Sequence, residues 1–579
     1  MIVKMEKIIL IMQSKDMSVA LESLGSMGLL HVEHENMPVS ENITKIKEDR
    51  ERAIEAIAIL PDVENQKALK IGEYGIVAET LDLMDGKEIL IEKLHRIKHE
   101  IMIWEEWGDF DPEVIKGMEK RRVWVKLCKS TPQEEKNIPK GVILEKLFKK
   151  GNIIYCAAIS RKEITLPFET LALPEMSLRE MLIEEKRYES RIDEIEKKFL
   201  EIGAYKKALE QYEEYLNSAI EFNEVAEGAG RFEKLSYIKG YCPVDRVGTV
   251  EKAALEEKWG IMVNEPDEND APPTLVINPR WVRIIEPIFN IINTIPGYRE
   301  IDISPHFLIF FSIFFGMLIG DAGYGLVYFI AGLAMQKKFK QLKNKSIFFL
   351  TYVLSSFAIT WGIMTGIFFG PHSWLKPMVP YFADNTNVQA FCFLIGAVQL
   401  SIAHIWKFLR KIPSLKALSD IGWICILWAA YFLAKTLILN FGFPEFGKWI
   451  FIAGSVLVIL FTSPMKNIFA GIGTGLGDFL LKLVNSFADI VSYIRLFAVG
   501  LAGVAIADAF NQIAGSIGAG SVLNCLLSVF VLFAGHTLNL VMGILAILVH
   551  GVRLNVLEFS GHLDMEWSGV RYAPFKRIK

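Results

Sequence analysis

Beyond residue 303 the chain is built from long apolar runs, and these restrict its fold more than any other feature. No water satisfies backbone N–H and C=O groups in a hydrocarbon core, so such runs cross it only as helices or closed barrels. A crossing helix needs about 20 apolar residues for a core of about 30 Å. Eight runs have that character: 305–320, 322–337, 346–370, 388–408, 418–440, 448–464, 484–513 and 522–557. The first two are short and are joined by Gly320-Asp-Ala-Gly-Tyr-Gly325, which suits a tight hairpin or one broken helix. The last two regions stay helical in pattern from Asn467 to Gly515 and from Ser521 to Leu563. A helix of about 40 residues is about 60 Å long, so these tilt strongly or run partly outside a bilayer.

The first 302 residues carry most of the charge, which divides the chain into a soluble half and a membrane half. A formal net charge of −4 over 579 residues gives no reason to expect nucleic acid as a partner. Cysteines 128, 156, 242, 392, 425 and 525 form no CxxC and no metal-ligand spacing. They read as small hydrophobes in a reducing compartment, and neither a metal nor a cofactor is expected. The opening Met1–Met12 is too short and too charged for a signal peptide and reads as a strand.

Residues 5–12, a helix around Ser18–Leu24 and Leu29–Glu33 suggest a β-α-β lobe with Gly25 and Gly28 in the turn. Charged helices follow at about 40–60 and 84–106, the second with a stripe of Leu90, Leu94, Ile97, Ile101 and Trp104. A second α/β lobe spans Arg122–Cys128 and Asn152–Ala158. Ser177 and Glu180 make a capping-box pair. Behind them Met181, Tyr188, Ile195, Ile202, Leu209 and Leu216 recur every seven residues, the period of a coiled coil. The predicted fold is therefore multidomain. Cytoplasmic α/β lobes are joined by an antiparallel coiled-coil stalk and followed by an all-α membrane domain of about eight transmembrane helices. The dumbbell arm takes residues 1–302: a proximal lobe (1–83 and 223–302), the stalk (84–106 and 173–222) and a distal lobe (107–172). The membrane domain takes 303–579. No nucleotide loop, paired catalytic carboxylates or nucleophile triad stands in the arm, so an enzyme is not expected there.

Loop charge sets the orientation. Lysines 337, 338, 340, 343 and 345 follow the second run, Lys407, Arg410, Lys411 and Lys416 the fourth, and Lys466 the sixth. Arg571, Lys576, Arg577 and Lys579 end the chain. The alternate loops are poor in base apart from Lys376, so both termini are expected in the cytoplasm of a multi-pass cell-membrane protein.

Two arginines interrupt the final runs: Arg495 in Ala488–Gly503 and Arg553 in Leu545–Leu557. A guanidinium near a bilayer centre costs about 2.5–3.5 kcal/mol on insertion scales, and arginine cannot lose its proton to avoid it. An ion path is the expected use; snorkelling to a headgroup or holding a structural carboxylate is the alternative. Ala498, Gly500, Ala502, Gly503 and Ala505 leave a shallow face beside Arg495, fit for sliding or for ordinary close packing.

Four stretches carry a resemblance: Asn278-Pro-Arg-Trp-Val-Arg-Ile-Ile-Glu-Pro287, Phe315-Gly-Met-Leu-Ile-Gly-Asp-Ala-Gly-Tyr-Gly325, Ser492-Tyr-Ile-Arg-Leu-Phe-Ala498 and His550-Gly-Val-Arg-Leu-Asn-Val-Leu-Glu558. With the arm and the eight runs, the chain resembles the membrane stator subunit, subunit a or subunit I, of rotary V-type and A-type ATPases. The resemblance implies a non-catalytic subunit that forms ion half-channels against a ring of carboxylate-bearing c subunits. It couples H+ or Na+ movement to ATP chemistry on the remaining subunits, and its arm binds peripheral stalks. It also implies that Arg495 faces the ring carboxylate, with Arg553 its companion. A fixed positive charge stabilises an emptied carboxylate and bars an ion from slipping between half-channels.

The other expected path residues are softer. His550, one turn before Arg553, could orient it, relay a proton or simply pack. Asp489 is a candidate for the inner half-channel, with Asp478 similar or interfacial. Asp508 could line the outer half-channel or face water, and Gln399 and His404 add polar lining on the fourth run. Asp321 reads as hairpin-stabilising and Glu558 as a structural partner for a base. Gly503 and Gly543 stand where the family often has polar groups facing the outer channel. The rival readings are a self-contained secondary transporter and a membrane tether that recruits a cytoplasmic complex.

Overall fold

The computed structural model describes residues 1–63, 72–131, 139, 141–163, 166, 170–339, 345–371, 376–462, 468–518 and 520–577, with side chains omitted from 468 to 478. Lys340, Lys343 and Lys466 and the Asp478 side chain lie outside the described residues. The chain forms two compact units: Leu10–Lys239 with Glu257–Gly260 and Phe575–Lys579, and Met1–Ile9 with Gly240–Glu256 and Ile261–Pro574.

Chain order opens with β1 (Met5–Gln13), α1 (Met17–Met27), β2 (His31–Glu33), α2 (Glu41–Ile59) and α3 (Glu73–Trp104). Ile8, Leu10 and Met12 of β1 are buried at the strand period of two. Gly28 ends α1 with φ 60° and an N–H to the Leu24 carbonyl, a left-handed cap that glycine takes without strain. Gly25, expected in the turn, instead lies inside α1; a Cβ there would sit 2.9 Å from the Arg577 Cβ. Helix α3 begins at Glu73, not near 84, because Ile76, Val77 and Thr80 are buried and their packing outweighs the low helix propensity of Gly75 and Gly86.

Next come α4 (Pro112–Lys120), β3 (Trp124–Ser130), β4 (Ile143–Lys150), β5 (Ile153–Ser160) and β6 (Thr170–Leu171), an antiparallel sheet in the order β4-β5-β3-β6. Helices α5 (Leu178–Gly203) and α6 (Lys206–Gly228) follow. The capping box is formed: Ser177 Oγ accepts from the Glu180 N–H at 3.4 Å and Glu180 Oε2 from the Ser177 N–H at 2.9 Å. The seven-residue pattern reads as one helix, but the chain breaks at Ala204 and Tyr205, where Gly203 is pressed on the Pro61 carbonyl. Helices α3 and α5 lie antiparallel: Lys87 meets Glu196 at 2.9 Å and Lys98 meets Glu189 at 2.8 Å. Strands β7 (Gly230–Phe232) and β8 (Leu235–Pro243), helix α7 (Val247–Glu256) and strand β9 (Gly260–Asn264) complete a five-stranded sheet, β2-β8-β1-β9 with β7 on β8.

The helices beyond are α8 (Arg280–Arg283), α9 (Glu286–Ile292), α10 (Ser304–Ile319), α11 (Ala322–Lys338), α12 (Ser346–Thr365), α13 (Asn385–Lys411), α14 (Ala417–Leu439), α15 (Glu445–Phe461), α16 (Ile468–Ser492), α17 (Ile494–Ile517), α18 (Val522–Ala546) and the short α19 (Ser560–His562). Each of the eight apolar runs is therefore largely helical among the described residues. Among the described residues, five helical stretches are long and apolar enough to cross a membrane: α12, α13, α14, Phe479–Ile517 and Val522–His562. Helices α10, α11 and α15 have 16, 17 and 17 residues.

Helices α10 and α11 do not close as a tight hairpin, because α12 is lodged between them. A Cβ on Gly316 would lie 2.8 Å from the Phe357 carbonyl oxygen, and one on Gly325 would lie 2.8 Å from the Ile359 nitrogen. Asp321 holds the turn, accepting from the N–H groups of Gly323, Tyr324, Phe369 and Gly370 at 2.7–3.2 Å. The main core of this unit gathers Phe307, Phe311, Phe314, Phe393, Tyr493 and Phe559.

Candidate functional site

Arg495 lies in the first turn of α17, just after the helical run from α16 is interrupted at Tyr493. Nothing in the local sequence announces that break. It is made by packing: Tyr493 is fully buried and donates its hydroxyl to Gln399 Oε1 at 2.8 Å, beside Gly396 of α13. Gln399 Nε2 donates to Asn555 Oδ1 at 2.9 Å, and Asn555 Nδ2 to the Gly551 carbonyl at 3.1 Å. This buried clamp ties α13, the α16–α17 joint and the last helix together. Gln399 is thus occupied by protein partners.

Beyond α18 the last helix widens: Ile547–Gly551 and Leu554–Phe559 wind as π-helix. Such widened turns recur at functional sites because they re-aim side chains. Here Glu558, 6% exposed, comes 3.6 Å from both Arg495 Nη1 and Arg553 Nε. Both guanidiniums thus converge on one carboxylate, the structural partner expected for Glu558. The Ser492 hydroxyl donates to the Asp489 carbonyl at 2.7 Å and lies 3.4 Å from Glu558 Oε1. Arg495 Nη1 and Glu558 Oε2 are buried without a hydrogen-bond partner among the described residues. An unmade hydrogen bond on such groups costs about 1–3 kcal/mol. Ala498, Ala502 and Ala505 are exposed, so a flat face runs on from Arg495 along α17. Gly500 instead is packed, with space for a Cβ closed by the Met317 carbonyl at 2.5 Å. The His550 side chain is half-buried and makes no hydrogen bond with the described residues.

Asp489 and His404 belong to one line of side chains. Asp489 Oδ2 lies 3.1 Å from His562 Nε2, His562 Nδ1 lies 3.0 Å from His404 Nε2, and His404 Nδ1 lies 3.4 Å from Asp420 Oδ1. Lys411 closes the line, donating to Asp420 Oδ2 at 2.8 Å. Three links join the four titratable groups, yet two neutral imidazoles between two carboxylates hold two protons. All three links can be made at once only if one further proton sits on the line. His562 and Asp420 carry no sequence signal of their own, since each sits near a helix end where polar residues are ordinary.

Asp508 lies away from this line and accepts from Gln512 Nε2 at 2.8 Å. A second polar chain starts nearby: Asn511 Nδ2 donates to the Phe369 carbonyl, His536 bridges Asn511 and Tyr324, and Asn539 bonds Tyr324 Oη and the Gly503 carbonyl. Asn539 thus supplies a polar group where Gly503 lacks one.

A family model described as the V-type ATPase 116kDa subunit family matches residues 230–370. "V-type ATP synthase subunit I" of Borreliella burgdorferi is 32% identical, with all of each chain covered. "V-type ATP synthase subunit I 1" of Treponema pallidum is 29% identical, again with all of each chain covered. "A-type ATP synthase subunit I" of Archaeoglobus fulgidus is 25% identical over 90% of this chain and 87% of its own. This full-length likeness and the paired arginines of the last two helices lead to one conclusion: the chain belongs to the subunit I family of V-type and A-type ATP synthases.

Proposed function

We propose that this chain is the non-catalytic stator subunit of a rotary ATPase, in which Arg495 and Arg553 face the carboxylates of a c ring. The observation that carries the reading is the unsatisfied pair, Arg495 Nη1 and Glu558 Oε2, beside an exposed alanine face. A ring carboxylate arriving emptied of its ion would accept from Arg495, and Glu558 would hold the guanidinium between visits. Arginine suits the task because it keeps its charge throughout.

The line Asp489–His562–His404–Asp420 serves as the inner half-channel, passing a proton between the cytoplasm and the ring. The Asn511–His536–Tyr324–Asn539 chain, with Asp508 at its end of α17, serves the outer half-channel. His550 helps to hold the arginine pair. Gln399 acts through the clamp that fixes Tyr493 beside Arg495. Eight crossings carry the membrane domain, with both termini in the cytoplasm of the cell membrane. The arm of residues 1–302, with α3 and α5 as its antiparallel coiled stalk, binds peripheral stalks and resists torque while other subunits handle ATP.

The test is ATP-driven ion uptake into vesicles holding the assembled complex, wild type against Arg495→Ala, with and without sodium. Lost uptake with assembly intact is expected, and wild-type uptake without sodium would identify the proton. Normal coupled uptake by the variant would overturn the assignment.

A further inference from the structure

The stretch that leads into the membrane helices holds a feature the ion path does not use. A groove of about 1090 Å³ opens between α8, the start of α9, and the first turns of α10 and α12. Arg280, Arg283 and Lys345 stand at one end with Trp281, which is 57% exposed. Leu308, Ile309, Phe349, Val353 and Phe357 line the rest. Arg283 is partly compensated, with Glu286 Oε1 at 3.8 Å and the Asn278 carbonyl accepting from it at 3.4 Å. Arg280 and Lys345 have no carboxylate partner among the described residues. Three cations against the single carboxylate of Glu286 leave that end with an excess of two positive charges.

We propose that this groove binds one anionic phospholipid, its phosphate-bearing headgroup held by Arg280, Arg283 and Lys345 and one acyl chain laid along α10 and α12. The charge matches an anion and excludes a cationic or neutral headgroup as the preferred occupant. The length matches a lipid. From Lys345 to Phe357 the groove runs about 18 Å along α12, a little over half of a ~30 Å hydrocarbon core, and its apolar wall begins at Phe349. A soluble anion would need only the cationic end. Trp281 sits where aromatic rings favour the border between headgroup and chain, and cationic pockets between membrane helices select acidic headgroups by the same attraction. A lipid seated there would fix α8 against the ends of α10 and α12.

The test uses the full-length chain in nanodiscs containing either dibrominated phosphatidylglycerol or dibrominated phosphatidylcholine. Bromines quench nearby indoles, and the Trp281 signal is the difference between wild type and Trp281→Phe. Quenching by the glycerol lipid is expected at a several-fold lower lipid fraction than by the choline lipid. The triple variant Arg280→Gln, Arg283→Gln, Lys345→Gln should remove that preference; if it fails to fold, Lys345→Gln alone should reduce it. Equal quenching by both lipids would leave only an ordinary lipid-facing surface and overturn the proposal. So would a preference that survives the substitutions. No Trp281 quenching by either lipid would mean that protein covers the groove, which also overturns it.

Discussion

Along α3 and α5 the pairs Lys87–Glu196 and Lys98–Glu189 hold side chains that are 22–55% exposed, each partner facing one or two others across water. Around the last helix a single carboxylate, 6% exposed, is shared by two arginines, and a second carboxylate, Asp420 at 2%, is shared by His404 and Lys411. The α3–α5 region spends many charges on weak, replaceable contacts, because exposed pairs contribute about 0–1 kcal/mol. In the second region the shared carboxylates Glu558 and Asp420 are themselves buried, so removing either leaves its partners without the anion that compensates them. Charge density in the sequence is therefore a poor guide to where charge matters.

The sharpest way to break this contrast is at Glu558. Glu558→Gln removes the anion between two guanidiniums, and the expected loss is about 2–3 kcal/mol, below the full cost of a broken buried pair because Arg553 is 55% exposed. The thermal midpoint of the assembled complex reads it. The double variant Glu558→Gln, Arg553→Gln should recover part of the loss; no recovery would mean that Arg553 and Glu558 are not coupled.

At the proposed relay, Asp420→Asn and His562→Phe should each lower ATP-driven uptake about a hundredfold or more, in the range that proton-transfer groups contribute, with ATP-site chemistry in the detached catalytic sector unchanged. Uptake within twofold of wild type for both would remove this line from the path. The clamp should respond differently. Tyr493→Phe deletes one buried hydrogen bond and leaves Gln399 Oε1 unsatisfied, costing about 1–3 kcal/mol in thermal stability. A loss of uptake without any loss of stability would promote Tyr493 from clamp to path.

Much of this contrast was legible in the sequence, for identifiable reasons. Arg495 and Arg553 stand out because a guanidinium in an apolar run is costly wherever it points. The capping box at Ser177 and the turn role of Asp321 are local and follow from spacing. His562 and Asp420 were not legible, because the contacts that define them join residues 158 and 16 apart with no periodic signal. The break at Tyr493 escaped as well: no glycine or proline marks it, and it exists because α13 offers Gln399 and Gly396 to the tyrosine. The start of α3 is not legible either, since its glycines weaken the local signal while buried Ile76 and Val77 supply what propensity lacks.

The smallest effects belong to the region of α3 to α5, and they test the other side of the contrast. Lys98→Ala should leave the thermal midpoint essentially unchanged, since its partners Glu189 and Glu185 are open to water. A pH response is sharper than its size suggests. Glu106 accepts from Lys150 and the Tyr155 hydroxyl, and these bonds hold its carboxyl below the usual value of 4.5. A carboxyl lowered on folding lends stability that is fully present above its unfolded value and fades as pH falls through the folded one. The β3–β6 sheet should therefore loosen below about pH 4.5 in wild type. Hydrogen exchange across β4 and β5 would show that onset, and Glu106→Gln should flatten it. An onset of equal size in the variant would mean that another carboxylate carries the acid response, and that even this network is one of the replaceable contacts.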